Sequence, residues 1–107
     1  MRKRRISPVL REAEFIAELD KPGTWVEIEC LTAPDPKRRH RGEWMFFAVR
    51  GPDERYSLVT ARADDRIIQT MEGVVSFAAT KLELDQVTVP LLAGGIATGM
   101  RRRPRTG

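Results

Sequence analysis

One cysteine and one histidine stand among the 107 residues of this chain. A lone Cys30 excludes an intramolecular disulfide, and with a lone His40 it falls short of the ligand set of a zinc site. That cysteine usage fits a reducing, cytoplasmic setting. Long apolar runs are missing as well. The most apolar stretch, VTVPLLAGGIATGM (residues 87–100), is broken by glycine and proline and is shorter than a membrane-spanning helix. MRKRRISPVLREAEF starts with charge as a secretory leader does, but acidic residues follow in place of an apolar segment. We therefore expect neither secretion nor a membrane role. Gly94, Gly95 and Gly99 lack the lysine, the hydroxyl and the following helix of a phosphate loop. No cofactor, metal or small-molecule substrate is expected.

Positive charge is present in quantity, and its placement is uneven. Arg2, Lys3, Arg4 and Arg5 form one cluster, Lys37, Arg38, Arg39 and Arg41 a second, and Arg101, Arg102, Arg103 and Arg105 a third. These hold 12 of the 19 Lys and Arg, leaving 7 against 15 Asp and Glu, a balance of −8 for the rest of the chain. The sequence describes an acidic body with three basic appendages. Polyanion affinity then belongs to the termini and one loop rather than to a basic face of the body.

The chain has the length of one domain. Ser7 and Pro8 read as the cap and first turn of a helix running through VLREAEFIAELD, stopped by Lys21-Pro22-Gly23. TWVEIECLT alternates, with Val26, Ile28 and Cys30 on one side and Glu27 and Glu29 on the other, as a half-buried strand does. EWMFFAVR is nearly continuous in apolar residues and reads as a central strand. Gly51-Pro52-Asp53-Glu54 turns it into a third strand, YSLVTAR.

Residues 63–82 allow two readings. One is a long helix capped at Asp64 or Asp65. The other, which we prefer, makes Ala63–Asp65 a turn, RIIQT a short strand and Thr70 the cap of a helix from Met71 to about Leu82. DQVTVPLL then forms a last strand at a sheet edge, since Pro90 cannot donate to a ladder. The expected fold is α+β: a single domain with an N-terminal helix, a three-stranded antiparallel sheet or meander, a second helix, a short C-terminal strand and flexible basic termini. Its bounds are a basic N-terminus at 1–6, the domain at 7–92, and a Gly/Arg-rich tail at 93–107.

No catalytic constellation emerges. Cys30 shares a strand side with Val26 and Ile28, where a buried thiol is expected, and Asp64 with Asp65 fits a turn. The chain is read as a non-enzyme. The three basic clusters carry the functional signal, because cations on loops and termini neutralise phosphates without reading sequence. Trp44, Phe46 and Phe47 raise the prospect of base stacking on the sheet, and Trp25 faces away from Val26, Ile28 and Cys30, so that one of the two faces must be covered by a helix or a partner.

Residues 56–91, YSLVTARADDRIIQTMEGVVSFAATKLELDQVTVPL, resemble small accessory proteins of the ParC plasmid-partition type. Thr60, Ala61 and Arg62 match the turn entry of that family, Arg66 to Thr70 its second strand, Ala78 and Ala79 its helix, and Val87 and Val89 its closing strand. The resemblance implies a plasmid or mobile-element accessory role without catalysis. The long-helix alternative gives instead the element order of a double-stranded-RNA-binding domain, with Asp64, Asp65 and Arg66 where that family carries lysines. We expect a small accessory protein that contacts nucleic acid through the three clusters and engages a protein partner or a second copy. The alternative is a protein-interaction module whose basic segments are merely solvated.

Overall fold

The alternation of Val26, Ile28 and Cys30 with Glu27 and Glu29 becomes β2, Thr24–Asp35, with the three apolar side chains buried. The structure, a computed structural model, describes residues 9–101. β3, Arg41–Arg50, runs antiparallel to β2 and sets Trp44, Phe46 and Ala48 opposite Cys30, Ile28 and Val26. β4, Glu54–Leu58, follows through the turn at Gly51, which takes a left-handed φ of 69°. Glycine adopts that conformation without a Cβ clash.

The three-stranded sheet expected from sequence is corrected here to six strands, in the order β1-β4-β3-β2-β6-β5, curved as a mixed half-barrel. β6, Ile96–Arg101, lies between β2 and β5, Leu84–Val87, antiparallel to both. Residues read as a flexible tail thus complete the sheet, and β5 takes its edge. The glycines here serve close approach: a Cβ on Gly99 would stand 2.9 Å from Leu84 Cδ1.

At the other edge, β1, Val9–Leu10, pairs in parallel with Ser57 and Leu58. Tertiary pairing claims these two residues, so the first helix, α1, starts later than expected, at Glu12, and runs to Leu19. Arg11 stands at its cap, where its backbone N–H donates to Glu14 Oε1 at 3.0 Å. Ser7 and Pro8, expected to open the helix, lie outside the described residues, as do the basic termini. β4 also ends earlier than expected, at Leu58. The chain turns through Thr60–Asp64, with Ala63 left-handed at φ 69°. Residues 66–69 then extend alongside β3 in line with β4, with Ile68 exchanging backbone hydrogen bonds with Trp44 at 2.9 Å each way.

The second helix, α2, Met71–Ser76, begins where the hydroxyl of Thr70 accepts from Gly73 N at 2.9 Å and continues as a wider π turn over Phe77–Lys81. A side chain at Gly73 would meet that hydroxyl at 2.8 Å. Replacing Thr70 by alanine removes the cap and is expected to cost about 1 kcal/mol, while serine retains it. Thermal unfolding followed by circular dichroism checks this, with a midpoint about 4–8 °C lower for alanine.

Both helices pack on one face of the sheet, where Phe15, Leu19, Val74, Phe77, Ala78 and Leu82 meet the inward residues of β2 and β3. Phe46 and Phe77 touch edge to face, with ring centroids 5.1 Å apart. Among the described residues no helix is long and apolar enough to cross a membrane.

Candidate nucleic-acid interface

The basic stretch between β2 and β3 is a shaped turn rather than a slack connection. Asp35 begins it twice over: its carboxylate accepts from Lys37 N at 2.9 Å and its carbonyl from His40 N at 2.8 Å. Pro36–Arg38 form one 3-10 turn, and proline at its start suits the fixed φ required there. Arg39 and His40 both take left-handed backbone conformations, at φ 57° and 58°. Each costs roughly 1–2 kcal/mol for a residue with a Cβ, a cost that the two Asp35 hydrogen bonds help offset. Strain of this kind is a recurring feature of functional loops.

Arg41 resumes pairing opposite Asp35, and its guanidinium donates to Gln69 Oε1 at 2.9 Å. Gly42 N donates to the Gln69 carbonyl at 3.0 Å, so residues 66–69 brace the base of the turn. Gln69 is a neutral partner, and among the described residues Arg41 makes no ion pair. Lys37, Arg38 and Arg39 are exposed and, among the described residues, make no ion pair.

Several cations of the body are treated differently. Lys21 pairs with Glu18 at 3.0 Å, Arg66 with Glu12 at 2.9 Å, and Arg55 with Glu27 and Glu29 at 3.1 Å each. Arg50 reaches Glu54 at 2.7 Å and Glu18 at 3.7 Å. The hydrogen bond from Arg50, with a second from Tyr56, holds the Glu54 carboxyl below its ordinary range, and the same Glu54 contact raises the Tyr56 hydroxyl. These pairs compensate Lys21, Arg50, Arg55 and Arg66 locally, whereas the turn presents its charge outward.

Of the residues assigned to nucleic acid from sequence, the structure brings Lys37, Arg38, Arg39 and Arg41 together. Arg2, Lys3, Arg4, Arg5, Arg102, Arg103 and Arg105 lie outside the described residues. Arg101 closes β6, and its side chain lies outside them too. The chain enters β1 and leaves β6 at the end of the sheet away from the turn. The 12 residues of β2 span the interval, a length of roughly 40 Å at the rise of an extended strand.

The aromatic residues are not free for stacking. Trp44 and Phe46 are fully buried, and Phe47 lies beneath the guanidinium of Arg55. Trp25 stays partly exposed, but on a face that carries Glu27 and Glu29. Cys30 is fully buried, donates to the Thr32 carbonyl at 3.3 Å, and has its thiol pushed up by burial, the reverse of an activated nucleophile. Among the described residues, no three His, Cys, Asp or Glu gather as a metal site would require.

The charge run was visible in the sequence. The double use of Asp35 and the brace from Gln69 were not, although Asp-Pro is a known turn opener. No family model, curated protein or solved structure matches the chain.

Proposed function

We propose that this protein is a small non-enzymatic accessory protein that contacts nucleic acid through the turn at Lys37, Arg38, Arg39 and Arg41, aided by the clusters at Arg2–Arg5 and Arg101–Arg105. One observation carries the proposal: the turn holds exposed cations on a defined backbone that make no ion pair among the described residues, while Lys21, Arg50, Arg55 and Arg66 are paired with carboxylates. Such a turn follows phosphates, and the contacts position the protein without specifying a base sequence. The likeness of residues 56–91 to ParC-type proteins gives this reading a plasmid or mobile-element setting in the cytoplasm.

Anisotropy titrations of labelled duplex DNA, single-stranded DNA and duplex RNA at several salt concentrations test it. Affinity is expected to fall as salt rises, with a log–log slope of about −0.9 per phosphate contacted on duplex DNA and about −0.7 on single strands. Absence of binding to all three at low salt would contradict the proposal. The protein-interaction module with solvated basic segments would then stand in its place.

A further inference from the structure

The turn between β2 and β3 has its backbone and one of its cations held in place. Asp35 accepts from Lys37 N and His40 N, while Gln69 accepts from the Arg41 guanidinium through its side chain and from Gly42 N through its carbonyl. Beneath the turn the two strands meet closely, for a Cβ on Gly42 would stand 2.5 Å from the Thr32 carbonyl oxygen. The brace is itself fixed. Ile68 is tied to Trp44 by two backbone hydrogen bonds, and Arg66 to Glu12 by an ion pair. The placement of aromatic rings is a second, independent observation. All seven Phe, Trp and Tyr residues of the chain lie within residues 15–77. Phe15, Trp44, Phe46, Phe47 and Phe77 are buried. Trp25 shares its face with Glu27 and Glu29, and Tyr56, whose hydroxyl donates to Glu54, stands opposite Ala48, toward the end of β3 away from the turn. His40 is therefore the one ring at the turn.

We propose, resting on the phosphate-contacting turn put forward above, that its ligand is a double helix rather than a single strand, with Gln69 as a positioning residue that holds Arg41 for the duplex backbone. Proteins that grip single strands stack successive bases on aromatic side chains laid along a basic groove. This chain has no such row of rings to offer. A duplex asks for something else. It is stiff over roughly 150 base pairs and sets its phosphates in regular rows, so cations already held on a fixed turn lose less freedom on meeting it than free side chains would. Gln69 suits that task because it is neutral: it orients the Arg41 guanidinium without neutralising it. Duplex DNA and duplex RNA share the regular backbone on which the argument turns.

Anisotropy titrations of the full chain with one labelled DNA strand, the duplex it forms with its complement, and the RNA duplex of the same sequence test it, with circular dichroism reporting the fold. Near ~0.1 M salt the wild type is expected to bind at least one duplex about tenfold or more tightly than the single strand. Gln69→Ala, an exposed position whose change alters no charge, is expected to weaken duplex binding roughly threefold to tenfold, the effect of having to order one freed guanidinium, and to leave single-strand binding unchanged. Gln69→Glu, by pairing with Arg41, should weaken both and make the log–log salt slope shallower by about 0.9 on duplex DNA and about 0.7 on the single strand. His40→Asn, which tolerates the left-handed backbone there, should leave single-strand binding within about twofold, less than the loss of a base stack. Single-strand binding as tight as either duplex would overturn the proposal. So would a Gln69→Ala variant that loses nothing on the duplex or as much on the single strand, or a tenfold single-strand loss in His40→Asn. Each of those results leaves the phosphate-contacting turn standing, whereas a wild type that binds none of the three ligands defeats both.

Discussion

Replacing Trp44 by alanine is expected to destabilise the domain by about 3–5 kcal/mol, the range for truncating a large buried aromatic. Trp44 is fully buried, lies opposite Cys30 in the β2–β3 ladder and exchanges backbone hydrogen bonds with Ile68. Its indole N–H donates to the Pro90 carbonyl at 2.8 Å, fastening the segment between β5 and β6 beneath the sheet. Alanine therefore leaves a cavity and also an unpaired carbonyl. Domains of this size are stable by only ~5–15 kcal/mol, and a loss this large lowers the thermal midpoint by upwards of ~12 °C. Phenylalanine separates the two terms: it restores most of the volume and leaves the carbonyl unpaired, for a smaller cost of about 1–3 kcal/mol. Denaturant unfolding of the three proteins measures both. A Trp44→Ala protein melting within a few degrees of wild type would show that the indole does not join the strands as described.

The second large effect concerns binding. Changing Lys37, Arg38, Arg39 and Arg41 together to serine removes four cations from one turn. If each neutralises a phosphate, duplex DNA affinity near ~0.1 M salt falls on the order of a hundredfold to a thousandfold, because counterion release disappears with every contact. Stability should change little, as Lys37, Arg38 and Arg39 make no ion pair among the described residues, and exposed substitutions of this kind usually stay within about ±0.5 kcal/mol each. The Asp35 hydrogen bonds to Lys37 N and His40 N involve backbone donors and survive the change. A folded variant that binds as tightly as wild type would move the polyanion contact to the termini.

How much of this was legible in the sequence depended on whether local pattern and tertiary pairing agreed. β2 was readable because one face is apolar and the other carries Glu27 and Glu29. β3 was readable because both of its faces are buried, which yields a nearly continuous apolar run. Thr70 announced α2 by its capping chemistry. β1 and β6 were missed for opposite reasons. Val9 and Leu10 belong to a pattern that reads as helix, and only the open edge of β4 draws them into a strand. Ile96–Arg101 looked flexible because of their glycines, yet the Gly99 backbone lies close against Leu84 and cannot carry a side chain there without a shift.

The candidate site divides in the same way. Its charges are plain in KRRHR, and composition alone set them apart from an acidic body. Its shape was not plain, because left-handed conformations at Arg39 and His40 run against the preferences of both residues. Only the closure of the β2–β3 hairpin through Asp35 imposes them. The second sheet face, where Met45, Phe47 and Val49 are buried, was half visible: Trp25 alternates away from Val26, Ile28 and Cys30, which already required something to cover one of the two faces.

The central claim is that the turn between β2 and β3 meets phosphate. The most direct test is the salt dependence of duplex DNA binding by the wild type and by the Lys37, Arg38, Arg39 and Arg41 serine variant, measured side by side. The account predicts that the log–log slope becomes shallower by up to ~3.6, about 0.9 for each contact removed. Equal slopes for the two proteins would contradict it.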